Sequence, residues 1–542
     1  ASGIGNALIL VGAATGRDGI HGASGLASLA DPTARFAELR PAVQVGNPFL
    51  EKLLLEACLE VLETGAVVGM QDLGAAGLTS STVEVADRGG VGVTIDVAKV
   101  TRRETGMTPY EIMLSESQER MLVIVEQGRE DEVRAVFDRW ELHSDIIGRV
   151  TDDGLVRVTE GEAVVCEVPA RLFTDECPTY YRTGQESAEI AALRAFDPAT
   201  LPDLAATEAH STLLRLLAAP NIASRRPVYQ RYDHTILTNT VVAPGEADAA
   251  VMRVKGTTKG LALKTDCNPR YVYLDPELGG RHAVAEATRN VACTGALPLA
   301  ITDCLNFGSP EKPANFFQLD QAVRGMAAAC RALDTPVVSG NVSLYTESNG
   351  VAIPPTPTVG AVGLLEDVGK HLTMRWGAGA RIFLLGVREA TLGASEYLAT
   401  VHGTIAGAPP ALDLDLEARV QRALLRLNEA AALASAHDTS EGGLLVALAE
   451  CAIVSGIGAT IDRAALDALL AANGDRLDRA LFGEAASRVV VTVATDEAFA
   501  SAEGIAREFG LALLPLGAAG GDALAVGDLA TIPVAALRDA WE

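Results

Sequence analysis

The chain has 542 residues, 49% of them hydrophobic, which is more than one hydrophobic core can use, so about three to five domains are expected. Its formal charge of −26 disfavours nucleic acid and anionic lipid as partners, because like charges repel. No apolar run approaches the ~20 residues that cross a bilayer. The first residues carry no signal-peptide pattern, so the sequence predicts a cytoplasmic globular protein without a membrane segment.

The eight cysteines are scattered along the chain and form no CxxC pair. None has a histidine partner at the spacing of a zinc site. We therefore expect reduced, mostly buried thiols and no zinc.

The first predicted strand, Ala7–Val11, leads into a glycine-rich segment, Gly12–Gly22. This segment has neither the GxxxxGK[ST] pattern of a P-loop nor the GxGxxG of a dinucleotide-binding turn. Two interpretations stay open, a flexible loop that faces a phosphate and a plain surface loop.

Asp72 ends a short apolar run, after an amphipathic helix predicted over Pro48–Thr64 and before a second helix at Ser80–Arg88. A carboxylate between a strand end and a helix N-terminus lies where open α/β sheets bind ligands. The alternative is that Asp72 caps the following helix.

Glu116, Ser117 and Gln118 place a carboxylate, a hydroxyl and an amide just before a buried strand predicted at Met121–Val125. Dense polar chemistry next to a core favours ligand binding over a purely structural role.

Two later strands end in small polar residues, one running from Leu299 to Gly308 and the other from Pro336 to Ser343. Such ends can approach a phosphate with the backbone and hold Mg²⁺ through a side-chain oxygen. Asparagine and glycine also make ordinary turns, so these strand ends alone are not specific. The same region contains a predicted strand, Thr238–Val242, and a long helix, Gly280–Cys293.

The segment around Asp72 recurs around Asp438, 366 positions later. A second predicted helix, Glu417–His437, precedes the second aspartate. Seven identities share this register without a gap: Asp72/Asp438, Glu84/Glu450, Ala86/Ala452, Gly90/Gly456, Gly92/Gly458, Ile95/Ile461 and Asp96/Asp462. The chain therefore contains two copies of one domain.

The polar triplet also recurs, at an offset of 368, but as Glu484, Ala485 and Ala486. The second copy keeps the carboxylate and loses the hydroxyl and the amide. A triplet with a structural role alone should be needed in both copies, so we predict that the copies have diverged and that only the first binds a ligand there.

The fold class predicted from these patterns is α/β (α+β) with an internal duplication. The first copy spans 1–170, a polar connector spans 171–227, a domain present only once spans 228–368, and the second copy spans 369–542.

Seven long motifs in chain order closely resemble the synthetase subunit of bacterial phosphoribosylformylglycinamidine synthase, and the resemblance covers essentially the whole chain. The motifs are TGRDGIHGA at Thr15–Ala23, QVGNPF at Gln44–Phe49, QDLGAAGLTSS at Gln71–Ser81, MTPYEIMLSESQERM at Met107–Met121, TDCNPRYVYLDP at Thr265–Pro276, TDCLNFG at Thr302–Gly308 and VSGNVSLY at Val338–Tyr345.

The resemblance implies the architecture of the aminoimidazole ribonucleotide synthetase superfamily, which is built from A and B domains. In the synthetase subunit these domains follow each other in the order A1-B1-A2-B2. The two copies correspond to B1 and B2 and the single domain to A2, whereas none of the 542 residues matches A1. Because A1 carries the family's catalytic histidines, we assign no catalytic residue and expect this chain alone to be inactive. A2 is expected to expose the apolar sheet face that packs on A1 in relatives.

By motif, the resemblance also implies three sets of binding residues. They are Gln44, Glu116, Ser117, Gln118 and Ser343 for the substrate formylglycinamide ribonucleotide (FGAR), Asp72 and Asn341 for Mg²⁺, and Asp303 and Gly340 for ATP.

The implied reaction is the ATP-dependent conversion of FGAR to formylglycinamidine ribonucleotide (FGAM) in purine biosynthesis, through an iminophosphate that ammonia attacks. The chain shows no glutaminase motif, so a separate glutaminase subunit and a small bridging subunit are implied as partners. Two alternatives remain. One is a catalytically incomplete nucleotide-binding scaffold. The other is a different superfamily enzyme such as a selenophosphate synthetase, against which the duplication argues because those enzymes are single A-B units.

Overall fold

The computed structural model describes residues 3–20 and 45–542. They form two compact units: unit 1 holds the described residues up to 181 together with 347–351, and unit 2 holds 182–346 and 352–542. Gln44, predicted to bind substrate, and the end of the glycine-rich segment lie outside the described residues.

Unit 1 is built on one sheet of seven described strands in the order β2-β4-β1-β5-β3-β6-β7. The strands are β1 Ala7–Gly12, β2 Val67–Asp72, β3 Gly92–Asp96, β4 Arg120–Val125, β5 His143–Thr151, β6 Leu155–Glu160 and β7 Ala163–Pro169. The helices, numbered over the described residues, are α1 Pro48–Glu63, α2 Gly77–Gly89, α3 Pro109–Leu114 and α4 Glu130–Arg139.

Unit 2 contains the single domain and the second copy. Its first strands are β8 Thr240–Val242, β9 Ala250–Arg253, β10 Gly260–Asp266, β11 Leu297–Asn306, β12 Val337–Ser343 and β15 Thr356–Leu365. Between β12 and β15 the chain forms a small hairpin, β13 Glu347–Ser348 and β14 Val351–Ala352, of which residues 347–351 belong to unit 1. The second copy contributes β16 Arg381–Gly386, β17 Ser435–Asp438, β18 Ala459–Ile461, β19 Arg488–Val493, β20 Leu513–Ala519, β21 Ala523–Val526 and β22 Ala530–Pro533.

Thirteen helices of unit 2 complete this inventory. They are α5 Ala188–Arg194, α6 Ala209–Leu217, α7 Arg226–Tyr229, α8 Pro269–Leu274, α9 Pro276–Cys293, α10 Pro313–Leu333, α11 Glu396–Val401, α12 Leu414–Glu429, α13 Gly443–Ser455, α14 Arg463–Ala472, α15 Leu477–Phe482, α16 Asp496–Glu508 and α17 Val534–Trp541.

The duplication predicted from the sequence is confirmed by topology. The second sheet has the order β17-β19-β16-β20-β18-β21-β22, which repeats the first strand for strand. In both sheets the first strand of the copy, β1 or β16, is central and pairs antiparallel on both sides. Their sequences, ALILVG and RIFLLG, are almost wholly apolar because both faces of these strands are covered.

The single domain carries a sheet in the order β12-β11-β15-β10-β9-β8, in which only β11 and β12 run parallel. Helices α9 and α10 cover one face, and their core with the sheet includes Ile301, Val359 and Ala361. Leu261, Leu263 and Leu299 alternate onto the other face and are between 37% and 43% exposed. This agrees with the apolar sheet face predicted for A2.

The connector predicted at 171–227 differs from a polar linker. Helix α6 buries Ala209, Thr212, Leu213, Leu216 and Leu217 along one face, a spacing of three and four residues that defines an apolar helical stripe. These leucines belong to the same core as the second copy. The composition of the whole segment hid this short amphipathic helix.

The helix predicted over Glu417–His437 was wrong at its C-terminal end. Helix α12 stops at Glu429, Ala431 takes a left-handed conformation, and Ser435–Asp438 forms strand β17 paired with β19. A residue with positive φ ends a helix, and the apolar run after it is used by the sheet.

The cysteines are all free, but the expectation that most are buried was wrong: Cys293, Cys330 and Cys451 are buried, whereas Cys166, Cys177 and Cys304 are exposed. Across residues 3–20 and 45–542, no helix combines the length and the apolar character needed to cross a bilayer.

Candidate functional site

Asp72 lies at one edge of the unit 1 sheet, where β2 ends and β4 begins. It stands opposite Met121, and the end of β1, Gly12, stands opposite Arg120, so three strand ends meet here. The Asp72 side chain is exposed, and its Oδ1 accepts a hydrogen bond from Gln71 Nε2 at 2.9 Å. A solvent-facing carboxylate at this edge is available to a ligand.

The capping alternative for Asp72 is wrong. Helix α2 begins after Ala76, which has a φ of +59° and caps the helix without a side-chain hydrogen bond. The equivalent residue of the second copy, Gly442, is also left-handed and also lacks a side-chain cap. Neither Asp72 nor Asp438 therefore serves as an N-cap.

Glu116 is hydrogen-bonded to the turn that precedes helix α2. Its Oε1 accepts a hydrogen bond from the Ala76 backbone N–H at 3.0 Å, and its side chain is buried. Glu484 does the same for the Gly442 N–H at 2.9 Å. The glutamate is kept in both copies because it satisfies a helix-terminal N–H, so the divergence between the triplets rests on Ser117 and Gln118.

Ser117 is buried and ties the glycine-rich segment to the triplet. Its Oγ accepts from the Gly16 N–H at 2.9 Å and donates to Asp18, while Ser115 Oγ donates to the Gly16 carbonyl at 2.6 Å. Over residues 12–20 the segment is thus fixed against the site, and the plain surface loop considered from the sequence is wrong for this part.

Gln118 is the half-exposed member of the triplet. Its Nε2 donates to the Glu116 carbonyl at 3.0 Å. The counterpart of Gln118, Ala486, is buried and carries no polar group. Glu119, with a φ of +54°, accepts from the Asn47 N–H at 2.8 Å and so brings the start of α1 to the same edge.

Arg120 gives the edge a fixed cation. Its guanidinium donates to the carbonyls of Ser117 at 2.9 Å and Ser115 at 2.5 Å and to Thr15 Oγ1 at 3.0 Å. Burial lowers the pKa of Arg120 to about 10, because the charged form loses hydration. Because these donors bind protein oxygens, Arg120 holds the backbone of the site in place.

In unit 2, the ATP candidates Asp303 and Gly340 are direct neighbours across the parallel strands β11 and β12. A Cβ at position 340 would lie 2.4 Å from Asp303 Oδ1. A side chain at position 340 would therefore displace this carboxylate from its place over the adjacent strand. Partial burial raises the pKa of Asp303 above its ordinary value.

Asn341 and Ser343 follow Gly340 on the same strand, and strand alternation places both on the opposite face from Asp303. Asn341 is exposed and its Nδ2 donates to Ser343 Oγ at 3.2 Å. This bond uses the amide nitrogen of Asn341 and not its oxygen. The metal and substrate candidates of this strand are therefore adjacent, whereas the ATP pair lies on the helix-covered side.

The second copy has turned the equivalent of Asp72 into a buried ion pair. Asp438 Oδ1 accepts from Arg289 Nε at 2.6 Å and its Oδ2 accepts from Asn290 Nδ2 at 3.2 Å. Arg289 also donates to Glu417 Oε2 at 2.9 Å, and all three charged side chains are at most 2% exposed.

Next to it, His437 Nδ1 lies 2.5 Å from Asp248 Oδ1. Burial alone would lower the pKa of His437, but the charge of Asp248 and its hydrogen bond raise that pKa well above the ordinary value. Asp438 is thus neutralised by an ion pair with Arg289 inside the protein.

Beside the second triplet a cavity of about 390 Å³ remains, lined by Glu484, Ala485 and Ala486 and by the acidic Glu389 and Asp413. Burial raises the pKa of Glu484 to about 7. The cavity has no counterpart of the Ser117 hydroxyl or the Gln118 amide, and its other polar lining residues are Thr391, Arg479 and Ser487.

Asp18 and Ser115 were missed by sequence reasoning, although both hold the first-copy site together. Asp18 is paired with Arg103 at 2.5 Å. The available signal was the charged Arg17-Asp18 pair inside a glycine-rich segment, which is unusual for a loop without contacts. Arg289 gave no signal, because a single arginine in a long helix has many possible roles.

Comparisons with known proteins agree with the duplicated fold. The family model for the C-terminal domain of AIR synthase related proteins matches residues 3–161 and 377–523, and the model for the N-terminal domain matches 246–365.

Two curated relatives are both named phosphoribosylformylglycinamidine synthase subunit PurL. The protein from Thermomicrobium roseum is 60% identical over 541 residues, covering 100% of this chain and 73% of the relative. That from Moorella thermoacetica is 52% identical, covering 97% and 70%.

Solved structures agree. The chain is similar to Thermotoga maritima PurL complexed with FGAR, with a TM-score of 0.66 and 27% identity over 96% of this chain and 72% of that one. It is also similar to the same protein complexed with ATP, with a TM-score of 0.64, 26% identity and coverages of 96% and 71%. A structure of PurLQS from Thermotoga maritima matches with a TM-score of 0.64 and 26% identity, covering 96% and 72%.

Proposed function

This chain belongs to the family of the phosphoribosylformylglycinamidine synthase subunit PurL, the glutamine-dependent ligases that convert FGAR to FGAM in purine biosynthesis, and we propose that its first copy and its single domain carry the substrate and nucleotide contacts of that reaction. One observation carries the proposal. Polar side chains and an exposed carboxylate occur together in the first copy, whereas the same positions of the second copy hold alanines and a carboxylate sealed by Arg289.

FGAR is assigned to Gln44, Glu116, Ser117, Gln118 and Ser343. The structure of Thermotoga maritima PurL complexed with FGAR supports a substrate of this class. Within the triplet, Gln118 is the member best placed to contact substrate, because Ser117 Oγ and Glu116 Oε1 already hold the backbone of the turn and of the glycine-rich segment. Ser117 and Glu116 then act mainly by positioning the edge against which substrate lies.

ATP is assigned to Asp303 and Gly340. Relatives solved with ATP, AMPPCP and ADP support a nucleotide. The missing side chain at 340 keeps the Asp303 carboxylate in place and lets the nucleotide approach the backbone of β12, which is the usual use of glycine beside a phosphate.

Asp72 of unit 1 and Asn341 of unit 2 each offer an oxygen donor that suits Mg²⁺, since hard cations prefer carboxylate and amide oxygens. No group of three or more His, Cys, Asp or Glu side chains that could hold a metal occurs in the part of the chain that the structure describes, so phosphates and water would complete the coordination. When bound, the ion would neutralise charge on the phosphoryl group in transfer.

The chemistry proceeds in two steps. The amide oxygen of FGAR takes the terminal phosphoryl group of ATP and releases ADP, giving an iminophosphate. Ammonia then adds to the same carbon. The C–O bond to the phosphorylated oxygen breaks, inorganic phosphate leaves, and FGAM forms. The residues assigned here bind and orient the two anionic substrates, which is most of what a phosphoryl transfer requires of a protein. None is assigned as an acid or base.

The family works as part of a multi-subunit complex. We propose a glutaminase subunit as the source of ammonia and a small bridging subunit as its adaptor, which the related PurLQS structure supports. That residues 1–542 are inactive without further protein stays a prediction.

The test is ADP formation by the chain assembled with the glutaminase and bridging subunits, with ammonium ion as an alternative nitrogen source. We expect no ADP release from residues 1–542 with these two subunits alone, and ADP release that requires both FGAR and a nitrogen source once the unmatched segment of the Thermomicrobium roseum relative is also supplied. A nucleotide-binding scaffold would bind ATP and release no ADP in response to FGAR, and ADP release that ignores FGAR would point to a different kinase-like activity.

A further inference from the structure

Unit 1 has a large apolar groove away from the sheet edge that carries Asp72. Its volume is about 700 Å³, and it lies between helices α2 and α3 on one side and the outer strands β6 and β7 on the other. Val83, Met113, Val156 and Val158 form its floor, and Tyr110 and Phe173 stand at its rim with 70% and 48% of their surfaces exposed. A monomer rarely leaves so continuous an apolar surface uncovered.

The duplication identifies the same place in the second copy. The floor residues Val83, Met113, Val156 and Val158 correspond to Ala449, Leu481, Leu524 and Val526 at the offsets of 366 and 368 that relate the copies. The strand pairing agrees, because Val156 and Val158 stand opposite Val93 and Ile95, just as Leu524 and Val526 stand opposite Ala459 and Ile461.

In the second copy this place is filled. Helix α6 packs against α13 and β22, the counterparts of α2 and β7 at the first groove, and also against α17. Its Leu213 and Leu216 are fully buried in one core with Leu481, Leu524 and Val526. The occupant of the second groove is therefore an amphipathic helix whose apolar residues are spaced by three and four.

That helix is supplied by the same polypeptide from a position well before the second copy's first strand. The curated relatives offer a source for an equivalent helix, because they are longer than the matched region. Only 73% of the Thermomicrobium roseum relative is covered by this chain, so about a quarter of that polypeptide lies outside the match. A helix of two or three turns needs only a small fraction of this length.

We propose that the apolar groove of unit 1 is the docking site of an amphipathic α-helix from the part of the PurL polypeptide that lies outside the matched region, with large aliphatic residues at i, i+3 and i+4. The helix lies over the floor valines, its apolar stripe covers the rim residues Tyr110 and Phe173, and its polar face stays in solvent.

Cys166 reports occupancy of the groove. It lines the groove and is exposed, whereas Cys177 is exposed in the same unit and does not line it. Alkylation of both thiols by iodoacetamide is followed by mass spectrometry, first with residues 1–542 alone and then with the unmatched segment of the Thermomicrobium roseum relative added as a separate polypeptide. We expect alkylation of Cys166 to slow by about tenfold when the segment is present at ten times its dissociation constant. The rate at Cys177 should not change.

Two matched variants separate docking from a general effect. Tyr110→Asp places a charge on the rim and should restore fast alkylation of Cys166, whereas Tyr181→Asp changes a tyrosine that is 95% exposed and lies outside the groove and should leave protection intact.

Equal alkylation of Cys166 with and without the segment would overturn the proposal, and so would protection that survives Tyr110→Asp. Protection by excess unlabelled chain, or by the glutaminase and bridging subunits in place of the segment, would also overturn it and assign the groove to those partners. Because no arm measures turnover, the result is independent of the proposed reaction.

Discussion

In both copies a buried glutamate accepts a hydrogen bond from a left-handed residue at the start of a helix, at 3.0 Å from Glu116 to Ala76 and 2.9 Å from Glu484 to Gly442. The buried arginines that follow match as well: Arg120 Nη2 donates to the Ser115 carbonyl, and Arg488 Nη2 to the Gly483 carbonyl, the equivalent residue. The aspartates at the neighbouring strand end differ, since Asp72 is exposed and Asp438 is buried against Arg289.

This contrast shows that the polar residues of a duplicated domain fall into two groups, those needed for folding and those that face a ligand. Those that satisfy the backbone of the turn are needed for folding in either copy, because an unsatisfied buried N–H is costly. Those that face the open edge are free to change with the ligand. In the first copy Asp72 is exposed and Gln118 is half-exposed, whereas in the second copy their counterparts are Asp438, in an internal ion pair, and Ala486.

The largest expected effect comes from removing the second aspartate. Asp438→Ala leaves Arg289 buried without one of its partners, and breaking a buried ion pair typically costs about 3–5 kcal/mol. Asp72→Ala is the matched control, and an exposed change of this kind should stay within about 0.5 kcal/mol. In a Trp140→Phe background, urea unfolding followed by the fluorescence of Trp376 and Trp541 reports on unit 2 and measures Asp438→Ala. In a Trp376→Phe, Trp541→Phe background, the fluorescence of Trp140 reports on unit 1 and measures Asp72→Ala. Equal losses for the two aspartates would break the contrast.

The stability of unit 2 should fall as the pH rises from 5 to 8. Burial raises the pKa of Glu484 to about 7, above its ordinary 4.5. Below pH 4.5 this group is protonated in both states and its contribution is complete. Between 4.5 and 7 the unfolded chain loses the proton first, so unfolding is favoured by roughly 3 kcal/mol in total.

The same fluorescence measurement across pH tests this linkage. Glu484→Gln should flatten the slope, although Asp266, whose pKa burial raises to about 6, leaves a residual slope of the same sign. Stability that increases over this range in the parent and is unchanged by Glu484→Gln would show that Glu484 is ionised throughout.

Gly340→Ala should weaken ATP binding by about 10- to 100-fold, the equivalent of about 1.5–3 kcal/mol for contacts to a charged group. The new Cβ would meet Asp303 Oδ1 at 2.4 Å and push the carboxylate away. Gly377→Ala is the control, because nothing lies within 4 Å of a Cβ built there. Calorimetric titration with ATP distinguishes them, and equal affinities for both variants would remove Gly340 from the nucleotide site.

Gln118→Ala should weaken FGAR binding by about 2- to 10-fold, because a neutral hydrogen bond is worth about 0.5–1.5 kcal/mol. Ala486→Gln introduces the same side chain in the second copy and should not raise the affinity, since Asp438 there stays paired with Arg289. A gain in FGAR affinity from Ala486→Gln would mean that the second copy retains a latent substrate site.

Much of the fold could be predicted from the sequence, because two copies of one pattern at a constant register constrain each other. The strands at Ala7 and Met121 and the helix from Pro48 were predicted within a residue or two, since apolar periodicity and a proline mark them. Helix α6 could not be, because its apolar stripe is short and matches a groove that only the folded second copy creates.

The sequence predicted which polar residues lie at the site, but not what each of their side chains contacts. The motifs located the polar residues, but whether a buried carboxylate contacts a ligand or a backbone N–H depends on contacts far apart in sequence. Asp438 and Arg289 are 149 residues apart, and Ser117 and Gly16 are 101 apart. No local pattern encodes such pairs.

The central claim is that one copy binds substrate and the other has been closed by its own residues. Calorimetric titration of the chain with FGAR, in the presence of Mg²⁺ and a non-hydrolysable ATP analogue, measures this as a stoichiometry. We predict one equivalent of FGAR per chain, with the heat reduced by Gln118→Ala. Two equivalents per chain, or one equivalent unaffected by Gln118→Ala, would contradict the account.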